Sequence, residues 1–157
     1  MVMIDRTFVK TLKKVKLKDP ILIEGLPGIG LVGKMVADLI KEQYESVKIA
    51  EVYSPHFPHQ VNMNKDGLIT PVTLDFYYVN TQSPRSKKTS DKSSVGEQLH
   101  AKSAKSSTSS HDIVLLIGEM QPVSSEAQYE INSVIIEYCK SLGCKEVITL
   151  GGYATGN

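Results

Sequence analysis

No part of this chain stays apolar for long. The longest uninterrupted apolar run, Ile113 to Ile117, is far shorter than the roughly 20 residues a membrane-spanning helix needs, so no membrane partner is expected. Charge of one sign is also lacking, because 18 Lys and Arg oppose 17 Asp and Glu for a net charge of +1. That balance predicts no nucleic-acid footprint and no acidic partner. The opening "MVMIDRTFVKTLKKVKLKDP" holds no apolar block followed by a small-residue cleavage site, so a secretory signal is not expected and a cytoplasmic location is. Cysteine is scarce: Cys139 and Cys144 fit neither a zinc spacing nor a thioredoxin motif and are too few for a disulfide framework, which predicts reduced thiols. No G-x-S-x-G elbow or other complete nucleophile motif is present.

What is present suits one domain with a real core. The 157 residues are too few for two ordinary domains, and 41% apolar with 22% charged residues is the balance of a soluble globular protein. Val15 and Leu17 alternate with lysines as an edge strand would, and "ILIEG", between Pro20 and a glycine-rich loop, reads as a buried strand. From Leu31 to Tyr44 the residues Leu31, Val32, Met35, Val36, Leu39, Ile40 and Tyr44 recur at helical spacing, and Met35 reads as core. "VKIAEVY" is expected as the next strand and "GLITPVTLDFYYV" as a long strand or bent hairpin, with Asp66-Gly67 as the turn before it. From Asn80 to His111 Ser, Lys and Thr dominate, too polar to offset the entropy of ordering, so a disordered excursion is expected there. "DIVLLIGE" suits a central strand, Ser125 to Gln128 a capping box, and Ala127, Ile131, Val134, Ile135, Tyr138, Cys139 and Leu142 a helix stripe closed by Gly143. "EVITLGG" is a last strand, and the alternation predicts an α/β domain, residues 1–157, with a mainly parallel sheet flanked by helices.

The stretch "GIGLVGKM" can be read as a dinucleotide fingerprint or as a phosphate loop. The phosphate loop needs a Ser or Thr after its lysine to bind magnesium, and Met35 stands there instead. The dinucleotide reading has the right context and an acid, Glu51, about 20 residues on, but Pro27 stiffens the turn. A tight turn with close helix packing is the simpler reading of Gly25, Gly28, Gly30 and Gly33.

In a parallel sheet the loops "GLPGIG", "SPHFPHQ", "GEMQP" and "GGYATG" would all lie at the carboxyl end, where ligand sites form in α/β proteins. Glu24, His56, His59, Glu119, Gln121 and Tyr153 would then share a crevice. Glu24 and Glu119 could form an acid–base pair there; an H-x-x-H across prolines does not set both imidazoles for a metal, so no metal is expected.

The blocks "IEGLPGIGLVGKMVADLI", "LLIGEMQPVSSEAQYEI" and "VITLGGYATG" together resemble the archaeal proteasome assembly chaperone family, related to the second eukaryotic assembly chaperone. The resemblance covers about residues 15–79 and 112–157. It implies a phosphorylase- or hydrolase-like α/β core that acts without catalysis or cofactor as a protein scaffold, commonly as a homo-oligomer, with proteasome α subunits or related assembly factors as partners. It also implies that Gly25, Pro27, Gly28, Gly30, Gly33, Gly151, Gly152, Tyr153 and Gly156 form structural loops, at a candidate ligand or interface edge that Glu119 and Gln121 share. Family members carry a shorter link where the Ser/Lys-rich tract stands, and they continue past "GGYATG", so a C-terminally incomplete domain is expected. The rival reading is a nucleotide-binding or ATP-grasp-like enzyme using the Gly25–Gly33 loop, but Lys34, Glu24 and Glu119 are few for that chemistry.

Overall fold

The computed structural model describes residues 5–63, 65–85 and 111–155. Strands β1 (Phe8–Thr11) and β2 (Ile21–Gly25) come first, followed by a short 3-10 turn and helix α1 (Val32–Gln43). Strand β3 (Tyr44–Tyr53) starts with no linker, and a small hairpin, β4 (Val61–Met63) and β5 (Ile69–Pro71), leads into β6 (Leu74–Pro84). Strand β7 (Ile113–Gly118), helix α2 (Ser125–Leu142) and β8 (Glu146–Thr149) complete the described chain.

The main sheet runs β1-β3-β6-β7-β2-β8. Only the β2–β7 and β2–β8 pairings are parallel; β1–β3, β3–β6 and β6–β7 are antiparallel, which corrects the expectation of a mainly parallel sheet. The cause is β6, which turns back beside β3 after a short hairpin excursion and fills the space a crossover strand would have taken. Following the pairings, β3 still points the same way as β2, but β7 and β6 lie between them. The expected edge strand at Val15 and Leu17 is also displaced. The strand is upstream at Phe8–Thr11, and Val15 and Leu17 pack as irregular chain against the core.

Asn80–Pro84, expected to open a disordered excursion, instead extends β6, where Asn80 pairs with Glu45 and Pro84 with Tyr44. A ladder of backbone hydrogen bonds does not require apolar side chains, which is why composition misjudged these residues. The rest of the tract, 86–110, lies outside the described residues, as does Gly156. The Asp66-Gly67 turn is where it was expected, between β4 and β5, with Gly67 at φ +77°.

Each sheet face carries one helix. On one side Ile131, Ile135 and Cys139 of α2 pack on Leu22, Val52, Phe76, Val114 and Leu116. On the other, Ala37 of α1 packs with Leu115, Ile117 and Val79, supported by Ile40 and Tyr44. Helix α2 is capped by Ser124, whose hydroxyl accepts from the Ala127 amide at 3.2 Å, one residue before the expected cap. The Gln128 side chain donates to the Pro122 carbonyl instead of closing a capping box. At the far end Gly143, at φ +85°, and Cys144 return their amides to the Lys140 and Cys139 carbonyls, a left-handed termination that leaves few carbonyls unpaired. Cys139 and Cys144 are free thiols in contact; the neighbouring thiol and burial together push Cys139 up.

Helix α1 does not sit as its apolar stripe suggested. Its buried residues are Gly33 and Ala37, whereas Met35, expected in the core, is 64% exposed, and Val32, Val36 and Leu39 are exposed with it.

Candidate functional site

The orientation of α1 is set at its first turns. A Cβ built on Gly25 would overlap that of Ala37, and one on Gly33 would overlap the Leu150 carbonyl oxygen. Two glycines and an alanine thus let α1 rest directly on the end of β2 and on the segment after β8, where the Leu150 amide donates to the Glu24 carbonyl at 2.9 Å. Between them Gly30 and Leu31 both adopt left-handed conformations, φ +65° and +55°, which tighten the turn into the helix. Gly28 and Gly151 face open space, and Gly152 backs onto the Ile29 carbonyl.

Around this turn the structure brings together part of the expected edge. Gln121 donates from Nε2 to the Pro27 carbonyl, which ties the loop after β7 to the glycine loop. Lys34, the lysine of the would-be phosphate loop, is held by Asp38 at 2.7 Å and Glu119 at 3.1 Å. Its hydrogen bond to Asp38 raises its pKa against a smaller opposing effect of burial. The glycine loop and its lysine are therefore engaged with other parts of the chain.

The remaining residues do not share one crevice. Glu24 alternates with Ile23 and falls on the α2 side of the sheet, where its charge bears on Cys139, while Glu119 lies on the α1 side with Lys34. The imagined Glu24–Glu119 pair is thus divided by the sheet. Burial raises the Glu24 pKa. His56 turns toward α2 and meets Glu130 at 3.0 Å; His59 lies in the loop before β4, beside Val61 and Pro71. Tyr153 is 90% exposed. Among the described residues no group of three His, Cys, Asp or Glu is placed to hold a metal.

A second constellation went unread in the sequence. On the α1 side, between β3, β6 and the small hairpin, Lys48 bridges Glu51 at 2.8 Å and Asp75 at 2.7 Å. Tyr53 donates to Glu51 at 2.7 Å, Thr73 to Asp75 at 3.0 Å, and Lys41 lies over the Tyr77 ring at 4.6 Å. These groups border a cavity of about 200 Å³ that Glu119 also lines. Lys48 and Glu51, three apart, should point to opposite faces of a regular strand. The β3–β6 register slips between Lys48 and Ala50, however, and this bulge at Ile49 brings both to one side. Burial disfavours the Lys48 ammonium, but its bonds to Asp75 and Glu51 outweigh that and raise its pKa. Burial, reinforced by Glu51, pushes Tyr53 up to about 12; burial, reinforced by Asp75, does the same to Tyr77. Glu51, the acid at the spacing noted for the dinucleotide reading, is thus already committed within the protein. The cluster meets its own hydrogen-bonding needs, since no buried side-chain nitrogen or oxygen among the described residues lacks a partner.

The sheet thus carries one helix per face, with the glycine loop tied to the segment after β7 and the ionic cluster paired within the chain. In comparison with known proteins, the PAC2 family model matches residues 22–157. The chain belongs to the PAC2 family. Among solved structures, this PAC2-family chain is similar to Pyrococcus furiosus PbaB, described as an archaeal proteasome activator, with a TM-score of 0.73 and 29% identity over 97% of this chain and 55% of that one. It shares its fold with Pyrococcus furiosus PbaA, an archaeal homologue of proteasome-assembly chaperone, at a TM-score of 0.59 and 23% identity over 95% of this chain and 50% of that one. An uncharacterized protein of Methanocaldococcus jannaschii, MJ1210, is 27% identical over 140 residues, 89% of this chain and 43% of its own length. The PAC2-family chain described here thus spans about half the length of the relatives it matches.

Proposed function

We propose that this chain works as a proteasome assembly chaperone-like scaffold, acting through protein–protein surfaces and without catalysis. The observation that carries the reading is the likeness to PbaB over nearly the whole chain, together with membership of the PAC2 family. Its partners in this reading are proteasome α subunits or related assembly factors, it self-associates, and it works in the cytoplasm. The residues around the α1 turn, among them Gly25, Gly33, Glu119 and Gln121, serve as a rigid mount for such surfaces. The involvement of Lys34 with Asp38 and Glu119 supports that role over nucleotide binding.

The test is native mass spectrometry of the chain mixed with proteasome α subunits from its own host, with and without ATP. A defined complex that is indifferent to ATP is expected. Absence of any complex with α subunits or assembly factors would end the scaffold proposal. ATP retained on the chain alone would instead favour a nucleotide-binding role.

A further inference from the structure

The turn that ends α2 also sets the place of the two cysteines. The Cys144 amide donates to the Cys139 carbonyl at 2.9 Å and the Gly143 amide to the Lys140 carbonyl at 3.0 Å, the two bonds of a Schellman motif. In that motif the side chains at the two ends of the longer bond turn toward each other, and a hydrophobic pair commonly fills the contact. Here both places are cysteine, and the two free thiols meet.

The backbone bond limits how far apart the pair can be. With ordinary covalent geometry, an N···O bond of 2.9 Å holds the Cys139 and Cys144 Cα atoms no more than about 6.8 Å apart, within the span that a disulfide bridges. The two sulfurs differ in access: Cys139 is 3% exposed within the core, whereas Cys144 is only partly buried at its margin. They differ in ionisation as well. The Cys139 thiol donates to the Cys144 sulfur and holds the Cys144 pKa below the usual thiol value, while that bond and burial raise the pKa of Cys139 itself.

We propose that Cys139 and Cys144 form a reversible disulfide, with Cys144 as the entry thiol and a low-molecular-weight disulfide as the oxidant. The Cys144 thiolate attacks one sulfur of the small disulfide, whose S–S bond breaks; one thiolate leaves and takes up a proton from solvent. A mixed disulfide then stands on Cys144. Cys139 gives its proton to solvent and attacks the Cys144 sulfur, so that the bond within the chain forms as the second small thiolate departs and is protonated. The pair has lost two electrons and two protons, and the small disulfide has gained them as two thiols. The new bond ties the last turn of α2 to the link into β8, a strand that pairs with β2 alone among the described strands. Because the Cys144 side is within reach of solvent, a reducing thiol reverses the bond, which suits a compartment where disulfides are transient. The reaction is independent of the scaffold role proposed above.

The test exposes the full chain, without denaturant, to oxidised glutathione, quenches it in denaturant with N-ethylmaleimide and reads the intact mass. The wild type should lose both alkylatable thiols and two hydrogens, remain a single chain on a non-reducing gel, and regain both thiols with dithiothreitol. Cys139→Ser should stop with one glutathione on Cys144, and Cys144→Ser should take up far less. A wild type that keeps both thiols, halts as the glutathione adduct or links one chain to another would overturn the pairing. Equal adduct formation by the two single variants would overturn Cys144 as the entry thiol. Should Cys139→Ser not fold, early quenching of the wild type decides, because trypsin cuts after Lys140 and separates the two cysteines. A transient adduct on the Cys144 peptide supports the proposed order, and one on the Cys139 peptide refutes it. The same incubation in urea should leave a larger share as mixed disulfide; an equal share would show that the helix end does not set the pair and would overturn its part in the reaction.

Discussion

Helices α1 and α2 lie on opposite faces of the same sheet, and both carry an apolar stripe at helical spacing, yet they use it in opposite ways. Helix α2 buries its stripe, with Ala127, Ile131, Ile135 and Cys139 seated against the sheet. Helix α1 seats Gly33 and Ala37 there and leaves Val32, Met35, Val36 and Leu39 outside. A stripe records that a helix has an apolar side; what that side faces depends on how closely the backbones approach. Where two glycines and an alanine permit near contact, the smallest residues turn inward and the large ones are displaced to the flank.

The contrast is broken most strongly by removing a large side chain from the helix that uses its stripe. Ile131→Ala should destabilise the fold by about 2–5 kcal/mol, through lost burial and the cavity left behind, whereas Leu39→Ala should stay within about 0.5 kcal/mol in the monomer. Urea unfolding of both at low concentration checks this. Next is Gly33→Ala, where helix propensity alone favours the change by about 1 kcal/mol. The overlap with the Leu150 carbonyl should win, giving a loss of about 1–3 kcal/mol in the same assay. A gain in stability would show that α1 is less closely seated than described.

Ser124→Ala should cost about 1 kcal/mol, measured as a lower thermal midpoint, because α2 depends on that hydroxyl for its cap. Helix α1 begins at Val32 after Leu31, which supplies no side-chain cap, so the loss has no counterpart there.

The smallest effects distinguish the two faces by pH. On the α2 face, burial raises the Glu24 pKa, so the protonated form is favoured on folding and stability falls as pH rises through the folded value. Glu24→Gln should therefore raise the melting temperature at pH 7 and leave it nearly unchanged at pH 4. On the α1 face, Tyr53 titrates at about 12 in the fold against 10.0 in the free side chain. Its contribution is present below pH 10 and lost as pH rises toward 12, so Tyr53→Phe should flatten that part of the alkaline limb in a pH-stability series.

Much of the fold was legible because local patterns are strong. Helix α2 and its Gly143 stop, the strands around Ile21 and Ile113, and the Asp66-Gly67 turn all follow from periodicity and punctuation. Two errors were local: the cap fell on Ser124 instead of Ser125, and the leading strand on Phe8–Thr11 instead of the Val15 and Leu17 region. Others were global. Strand direction was misjudged because nothing in the residues of β6 says beside which neighbour it returns. The Lys48, Glu51 and Tyr53 cluster was missed because a bulge at Ile49 reverses the parity on which strand patterns depend. Sequence proximity in the loops also suggested a shared crevice, but Glu24 and Glu119 leave neighbouring strands on opposite faces.

The sequence by itself determined the alternation of strands and helices, the family blocks and the glycines at the α1 turn, because each is a property of residues near one another in the chain. Only the tertiary structure decided strand order, the inward turn of Gly33 and Ala37, and the exposure of the apolar flank beside β8. Those depend on which backbones come close enough to exclude a side chain, a distance between segments far apart in the sequence.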